Sequence, residues 1–264
     1  MEITSHQNTH IKFIKKLYRK RYRDQYQLYI AEGLRLVEDI AKTGMIQELY
    51  YTDKLLTTTR GEQLLSALQA EGIAAYKCAQ SVFSEICSTD SDQGVLAVVR
   101  QPQPVTDWRD HLHKGVVLVI DQLQDPGNLG TIMRTALGAG IDGVWLIDGT
   151  VDPFNPKVVR ASMGAVQSLP IAYMTAQECY EQCQKLGLTL VGADVRGALP
   201  YYQCDFTTPC ALVIGNEANG IQPALLEKCQ QRVCIPIVNG VESLNAAIAA
   251  AVLIYEVVRQ HRLI

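Results

Sequence analysis

The chain has 264 residues, enough for one large domain or two modest ones. Apolar residues make up 48% and charged residues 19%, which excludes a disordered segment and a disulfide-rich miniature scaffold. The longest apolar run, near residues 246–255, is about half the length of a membrane span. The first six residues lack the charged and apolar regions of a signal peptide. We therefore expect a soluble, cytoplasmic protein.

Charge is distributed unevenly along the chain. Residues 1–35 contain eight Lys or Arg against three Asp or Glu, so they carry +5, whereas the whole chain carries −3. The remaining residues therefore carry −8. A basic head on an acidic body indicates that one part of the molecule contacts a polyanion.

The eight cysteines form no CxxC pair, and no histidine lies close to two of them. A zinc site or another metal site is therefore not expected. Cys179 and Cys183 lie one helical turn apart, which is typical of a buried helix face where thiols act as small apolar residues.

A small α/β unit is predicted for residues 1–100. Its first helix, residues 7–23, places most of its cations on one face: Lys12, Lys15, Lys16, Arg19, Lys20 and Arg23. Strand-like runs follow at 28–31, 46–51, 73–76 and 95–99, and helical patterns occur near 32–43, 61–70 and 79–87.

Two prolines in Gln101–Val105 interrupt the periodicity and predict a linker over residues 101–114. The second domain, residues 115–264, begins with Val116–Ile120, a strand that is apolar on both faces like the central strands of parallel sheets. Later strands are predicted at 144–147, 188–191, 211–214 and 233–237, and helices at 128–139, 155–164, 175–187, 222–230 and 243–260. The alternation predicts a doubly wound parallel sheet.

Gly138, Gly140 and Gly143 satisfy the spacing GxGxxG, but a helical pattern precedes them and a strand follows. A dinucleotide-binding fingerprint needs the opposite order, with a strand before the glycines and a helix after them. We interpret the first two glycines as a helix end and turn. A P-loop is excluded because the chain contains no GxxxxGK[ST].

The first candidate motif, Asp125–Arg134, follows the first strand of the second domain. Asn128 is suited to cap the next helix. The apolar stripe of that helix leaves Arg134 on an open face beside Thr131 and Gly138. A capped helix with a solvent-facing arginine would also explain these residues.

The second candidate motif, Gly215–Gly220, lies at the carboxyl end of the predicted strand 211–214. Ligands of open α/β sheets bind at such strand ends. Glycines there permit positive φ and let a ligand approach the backbone closely. An ordinary turn with a surface Glu217 is the alternative.

The third candidate motif, Ile235–Ala247, runs from a strand through a glycine turn to a helix that Ser243 is expected to cap. That helix is apolar nearly all round and should be deeply buried. Asn245 in its first turn therefore needs a partner, which is either backbone or a ligand.

In this order and near these separations, the three motifs resemble the signature of the SpoU (TrmH) family of RNA 2'-O-ribose methyltransferases, within the SPOUT class. The resemblance covers residues 116–260, and Lys157–Ala165 between the first two motifs also looks like the family. In the first domain, Arg23 and Ala31–Glu38 are similar to the substrate-binding domain that many members carry.

The resemblance implies an α/β sheet whose C-terminal segment threads a deep trefoil knot, S-adenosylmethionine as the cofactor, and a homodimer. It implies a catalytic centre of Arg134, Asn128, Glu217, Ser243 and Asn245. It places cofactor binding at Leu212, Gly215, Gly220, Ile235, Leu244 and Asn245, with Asp194 bordering the pocket.

A sulfonium methyl group is already activated, so its transfer to a hydroxyl needs placement and control of one proton, without a metal. In the family, the arginine of the first motif is assigned to the catalytic centre, sometimes as the base. Arginine hardly ever loses its proton. We therefore favour a role in which Arg134 holds the neighbouring phosphate and stabilises the 2'-oxyanion, helped by Asn128.

The cationic face of the first helix is expected to contact RNA phosphates, although a merely solvated face would have the same pattern. Tyr18, Tyr22, Tyr26 and Tyr29 could stack on unpaired bases or pack in the core. Ribosomal RNA is favoured because the first domain looks like that of ribosomal-RNA members. Transfer-RNA ribose methylation, base methylation on the same fold and a non-catalytic RNA-binding protein stay open, while the misplaced glycines disfavour a nicotinamide oxidoreductase.

Overall fold

The structure, a computed structural model, describes residues 2–88, 92–197 and 199–261. The described residues among the first hundred form five strands and five α-helices: β1 (Glu2–Ile3), α1 (Thr9–Leu17), α2 (Lys20–Tyr26), β2 (Leu28–Glu32), α3 (Leu34–Ala41), β3 (Ile46–Tyr51), α4 (Thr59–Ala70), β4 (Ala74–Cys78), α5 (Gln80–Ser84) and β5 (Val95–Arg100).

The later residues alternate strands and helices: β6 (Val116–Ile120), α6 (Pro126–Gly138), β7 (Gly143–Ile147), α7 (Pro156–Ser162), α8 (Ala165–Ser168), β8 (Ile171–Met174), α9 (Ala176–Leu186), β9 (Thr189–Ala193), β10 (Leu199–Pro200), β11 (Cys210–Ile214), α10 (Pro223–Leu226), β12 (Gln231–Cys234) and α11 (Ala246–His261). Short 3-10 helices occur at Leu55–Thr57 and Tyr201–Gln203. No helix of the described residues is long and apolar enough to cross a membrane.

The chain divides into two compact units. Unit 1 comprises Met1–Pro102 together with Asp152–Gln167, and unit 2 comprises Gln103–Val151 together with Ser168–Ile264. These units differ from the predicted domains 1–100 and 115–264, because the segment Asp152–Gln167 packs with unit 1. The predicted linker 101–114 is also partly built into unit 2, since Trp108 is buried in its core.

Unit 1 contains a mixed sheet with the order β1-β4-β3-β5-β2, in which β5 runs antiparallel to both of its neighbours. The predicted helix 7–23 is two helices, since Arg19 adopts an extended backbone conformation between α1 and α2. The apolar stripe of α1, which is Ile11, Ile14 and Leu17, is buried. After the break, α2 buries Arg23.

Unit 2 contains a wholly parallel seven-stranded sheet with the order β10-β12-β9-β11-β6-β7-β8. The sequence did not predict the short strands β8 and β10, and α10 ends four residues before the predicted helix end. Strand β12 ends at Cys234, three residues before the predicted end at residue 237. Pro236 has no N–H to donate to a neighbouring strand, which disfavours continuation of the strand.

Two central strands of unit 2 position the candidate motifs. Strands β6 and β11 are hydrogen-bonded neighbours, and Ile120 is in register with Ile214 at their carboxyl ends. Because parallel strands end at the same edge, the turns after β6 and β11 lie side by side. Helix α11 packs against α6, which brings the third motif to the same edge.

Candidate active site

Helix α6 begins in the turn after β6, and its N-cap is Asp125, not Asn128 as the sequence predicted. The Asp125 carboxylate accepts a hydrogen bond from the Asn128 backbone N–H at 2.7 Å, and Pro126 occupies the first turn, where its missing N–H costs nothing. The side chain of Asn128 is therefore available for other partners.

The turn after β11 closes on itself. Asn216 and Gly220 exchange two backbone hydrogen bonds, both 2.9 Å long, and Gly220 has a φ of +70°. A Cβ atom on Gly215 would lie 2.3 Å from the carbonyl carbon of Gly220. Both glycines are thus required by the turn itself, whereas the sequence had suggested close approach of a ligand.

Glu217 projects from this turn onto the turn after β6. Its carboxylate accepts hydrogen bonds from the backbone N–H groups of Gln124 and Asp125 at 3.1 and 3.0 Å, and from Asn128 Nδ2 at 3.0 Å. Partial burial alone would raise the pKa of Glu217. The hydrogen bonds outweigh burial and lower its pKa, so the group is a carboxylate at neutral pH.

Asn245 connects the third motif to the first. Its Nδ2 atom donates to Asn128 Oδ1 at 3.0 Å, although 117 residues separate the two asparagines. Its Oδ1 atom accepts from the backbone N–H groups of Ala247 and Ile248. Asn245 therefore caps α11, a role predicted for Ser243, and it is exposed where the sequence had predicted deep burial.

These contacts fix the orientation of both amides. The Glu217 carboxylate can only accept hydrogen bonds, so it selects the NH₂ group of Asn128. The backbone N–H groups at the start of α11 can only donate, so they select the oxygen of Asn245. We call Glu217, Asn128 and Asn245 the amide chain. One of the two N–H groups on Asn128 Nδ2 takes no part in the hydrogen bonds of the amide chain.

Arg134 lies on α6 and is exposed, as the sequence predicted. Its guanidinium forms no hydrogen bond or ion pair with any residue that the structure describes. Thr131 and Gly138 on the same face are exposed too, and a Cβ atom at Gly138 would meet nothing within 4 Å. The arginine is therefore free to bind an anion.

A cavity of about 80 Å³ lies at the carboxyl ends of β9 and β12. Its lining residues are Ala193, Asp194, Val195, Val233, Ile235, Ile237, Leu244, Ala249 and Leu253. The structure thus brings together the predicted Ile235, Leu244 and Asp194. Leu212, Gly215 and Gly220 do not line it, and Leu212 is buried within β11.

One polar residue of this region was missed by the sequence analysis. Asp121 is fully buried at the end of β6, and its carboxylate accepts from the backbone N–H and the Nε2 of Gln222 at 2.7 and 2.6 Å. These bonds fix the chain that leaves the second motif. A carboxylate directly after a run of five apolar residues was the available signal.

On unit 1, five of the six predicted RNA-binding cations are exposed on α1, at the break after it and at the start of α2. We call these five residues the basic surface: Lys12, Lys15, Lys16, Arg19 and Lys20. The prediction for Arg23 is wrong for this structure, since its guanidinium is buried and bound to Asp152. Tyr29 is fully buried, whereas Tyr26 is exposed and stacks with Tyr22.

Known proteins share this architecture. Residues 115–255 match the SpoU rRNA Methylase family, and residues 8–97 match the MRM3-like substrate binding domain. The chain is 34% identical to the 23S rRNA (guanosine(2553)-2'-O)-methyltransferase RlmP of Bacillus subtilis, a match that covers 96% of this chain and 98% of that protein.

Two solved structures with bound cofactor are similar over nearly the whole chain. The AdoMet-bound rRNA methyltransferase from Sinorhizobium meliloti superposes with a TM-score of 0.87 at 33% identity, covering 98% of this chain and 97% of that one. The SpoU methyltransferase AviRb from Streptomyces viridochromogenes, in complex with AdoMet, superposes with a TM-score of 0.84 at 27% identity, covering 97% and 99%.

The parallel sheet with three motif-bearing turns at one edge defines a methyltransferase of the SPOUT class. The chain belongs to the SpoU rRNA methylase family.

Proposed function

We propose that this protein transfers a methyl group from S-adenosylmethionine to the 2'-hydroxyl of a ribose in ribosomal RNA. The amide chain carries this proposal, because it joins all three motifs into one polar cluster. Arg134, which has no hydrogen-bond or ion-pair partner among the described residues, projects from the helix that begins at that cluster. The relatives support the substrate, since RlmP is named as a 23S rRNA 2'-O-methyltransferase.

The cavity fits one part of the cofactor. Its walls are mainly aliphatic and suit a planar ring, and the Asp194 carboxylate suits a hydroxyl or an ammonium group. Its volume of about 80 Å³ is below the usual range of ligand pockets, so it would receive only part of the cofactor. Ile235, Ile237 and Leu244 would hold the ring. When bound, the cofactor supplies an electrophilic methyl group.

Arg134 and Asn128 would act on the ribose and its phosphate. Arg134 carries a permanent charge on a planar fork, so it can bind the neighbouring phosphate through two hydrogen bonds and stabilise the developing 2'-oxyanion. The remaining N–H of Asn128 can donate to the same oxygen, and the proton of the 2'-hydroxyl would pass to solvent water beside the exposed Arg134. Glu217 and Asn245 hold Asn128 and act as positioning residues.

Unit 1 would serve as the RNA substrate-binding domain. Its match to the MRM3-like substrate binding domain supports this role, and so does the basic surface. Within the basic surface, Lys12 and Arg19 form no ion pair with any described residue, so they are free to neutralise phosphates. Backbone contacts of this kind give affinity with little sequence information.

The proposed assembly is a homodimer with a knotted C-terminal segment. The large apolar side chains of Leu137 on α6 and of Ile248 and Tyr255 on α11 are 41%, 55% and 48% exposed. Because α6 packs against α11, these side chains suit a contact with a second copy of the chain.

The proposed location is the cytoplasm, since all eight cysteines are free.

Ribose-methylation mapping of total RNA tests the proposal. In a strain lacking the protein, one 2'-O-methyl group of ribosomal RNA should disappear and should return with the wild-type gene but not with Arg134→Ala. Mass spectrometry of the same RNA identifies the modified atom. Disappearance of a methyl group from transfer RNA, or from a base, would contradict the proposal. Absence of measurable affinity for S-adenosylmethionine by calorimetry would also contradict it.

A further inference from the structure

A second and larger cavity lies wholly within unit 1. Its volume is about 360 Å³, within the usual range of ligand pockets. It opens where β2 passes into α3, and residues at the C-terminal end of α7 complete its wall. The residues that matter below are Glu32, Arg35, Leu36, Cys87, Arg160 and Met163.

Two turns bring α3 and α7 together at this cavity. Gly33 has a φ of +102° and starts α3, while Met163 and Gly164 have φ values of +49° and +87° and end α7. A Cβ atom on Gly164 would lie 3.7 Å from Leu36 Cδ1, so the turn after α7 lies beside the Leu36 side chain of α3. The cavity is therefore part of the packed fold of unit 1.

Most of the cavity wall is apolar. Leu36 and Val95 are buried, and Met163 adds a thioether. Burial, followed by the nearby carboxylates of Glu32 and Asp92, raises the pKa of the Cys87 thiol. Cys87 is thus a neutral wall group and not a nucleophile at neutral pH.

The carboxylates at the cavity are already occupied. Glu32 accepts from the Tyr18 hydroxyl at 2.6 Å and from the Ser88 backbone N–H at 2.9 Å. Burial and the neighbouring Glu32 raise the pKa of Tyr18, so its hydroxyl stays a donor. Asp92 accepts from the Gly94 backbone N–H and from Gln80 Nε2.

The two arginines of the cavity, by contrast, have donors to spare. Arg35 is exposed and forms no hydrogen bond or ion pair with any residue in the described part of the chain. Arg160 donates one hydrogen bond, from Nη1 to Ser88 Oγ at 3.2 Å, and has no carboxylate partner among the described residues. Both arginines thus line the cavity and keep N–H donors available for a ligand.

We propose that this cavity receives one unpaired nucleotide of the RNA substrate, with its base against the apolar wall and its phosphate bound by Arg35 and Arg160. The inference rests on the proposed function and adds a contact point away from the ribose that is methylated. Proteins that recognise RNA by sequence or shape commonly accept splayed bases in this way, with arginine binding phosphate or stacking on the base. The proposal also gives a role to Lys157–Ala165, since that segment supplies Arg160 and Met163.

The test uses Arg35→Ala and Arg160→Ala, with Lys42→Ala as the control. Lys42 directly follows α3, carries the same charge as Arg35, is 74% exposed and lies outside the cavity lining. The probe is ribosomal RNA from a strain lacking the protein. Each arginine variant should raise KM for this RNA at least about tenfold, whereas Lys42→Ala should stay within about twofold. Arginine variants that behave like Lys42→Ala would overturn the proposal.

Three further measurements separate the possible causes. Hydrogen exchange of the β2 amides should match wild type in each variant, which controls for folding of unit 1. Calorimetry should show S-adenosylmethionine affinity within about twofold of wild type, which shows that the cofactor site of unit 2 is intact. Arg35→Lys should recover only part of the loss, since it keeps the charge but not the planar fork. Full recovery would show general electrostatics and overturn the cavity role.

Free nucleotides distinguish an RNA contact from an effector site. Titration of the wild type with AMP, GMP, CMP or UMP should give no saturable binding below about 1 mM, because one nucleotide alone lacks the contacts of the whole RNA. Saturable binding that Arg35→Ala abolishes, with KM for RNA unchanged, would overturn the proposal. Filter binding of the same RNA measures affinity without methyl transfer, so it tests the cavity independently of the proposed function. The proposed function fails if the wild type transfers no methyl group.

Discussion

Arg23 and Asp152 are 129 residues apart in the chain and form a buried ion pair, with Nη2 and Oδ2 separated by 2.5 Å. The exposed fractions of the two side chains are 2% and 9%. Arg23 Nη1 also donates to the backbone oxygen of Leu17 at 2.8 Å. At the other end of the same segment, the Tyr29 hydroxyl donates to Gln167 Oε1 at 2.7 Å. Two buried polar contacts thus hold both ends of Asp152–Gln167 in unit 1.

Removal of one partner should therefore destabilise unit 1. Asp152→Ala leaves the Arg23 guanidinium buried and uncompensated, which we expect to lower the free energy of unfolding by about 3–5 kcal/mol. Asp24→Ala, which removes an exposed carboxylate paired with Lys20, should cost at most about 0.5 kcal/mol. Hydrogen exchange of the β2 amides is the suitable measurement, because both tryptophans lie in unit 2. A cost below about 1 kcal/mol for Asp152→Ala would contradict the prediction.

The amide chain predicts a separation of stability from catalysis at Asn245. Asn245→Asp keeps an oxygen to cap α11 but loses the donor to Asn128, and it places a carboxylate near Glu217. We expect kcat for RNA methylation to fall at least about tenfold, while the midpoint of thermal unfolding stays near wild type. Asn245→Ala should lower kcat as well and should also destabilise the fold by about 1 kcal/mol, because it removes the cap of α11. Normal kcat in Asn245→Asp would remove the positioning role.

Acid should weaken the contact between the turns after β6 and β11. Hydrogen bonds lower the pKa of Glu217 below its ordinary value of 4.5, so its stabilisation is fully present above about pH 4.5 and is lost as the pH falls through the lower folded-state pKa. Glu217→Gln cannot titrate there. The difference in unfolding midpoint between wild type and Glu217→Gln should therefore shrink as the pH falls below about 4.5. A difference in midpoint that does not change with pH would show that the Glu217 carboxylate does not provide this stabilisation.

Substitution of Arg134 distinguishes an electrostatic role from a basic one. Arg134→Lys keeps the charge but loses the planar fork, and we expect kcat to fall about 10²–10³-fold with an unchanged pH-rate profile. Affinity for S-adenosylmethionine, measured by calorimetry, should stay within about twofold. Near-normal activity with a shifted profile would contradict bidentate binding of phosphate.

The basic surface predicts salt-dependent RNA binding. Each phosphate contact adds about 0.7–0.9 to the slope of log affinity against log salt, so a combined Lys12→Ala, Lys16→Ala and Arg19→Ala variant should reduce the slope by about 2. Lys42→Ala serves as the control, because it lies outside the basic surface. An unchanged slope in the triple variant would show that these cations are only solvated.

Much of unit 2 was predictable because its central strands are apolar on both faces, as in Val116–Ile120 and Cys210–Ile214. Shorter elements were not. Strand β10 has only two residues, and the four residues of β8 give too little periodicity to distinguish a strand from a loop. The break at Arg19 carries no Pro or Gly, so the helical pattern ran through it.

The residue types of the site were predictable, but their contacts were not. Asn128 was assigned as a cap because it precedes an apolar stripe, yet Asp125 three residues earlier does this. The bond between Asn128 and Asn245 depends on strand order and on the packing of α11 against α6, which no local pattern contains. Burial of Arg23 was equally invisible, since its partner lies in a distant segment.

The composition of unit 1 constrains how the molecule can be made. On the ribosome, residues 103–151 must emerge before Asp152–Gln167, so the N-terminal sheet lacks two of its helices for about fifty residues of synthesis. During that interval Arg23 has no counter-ion from Asp152. A fragment ending at Pro102 would remain in this unfinished condition, and cutting the chain at a single point cannot separate the two units intact.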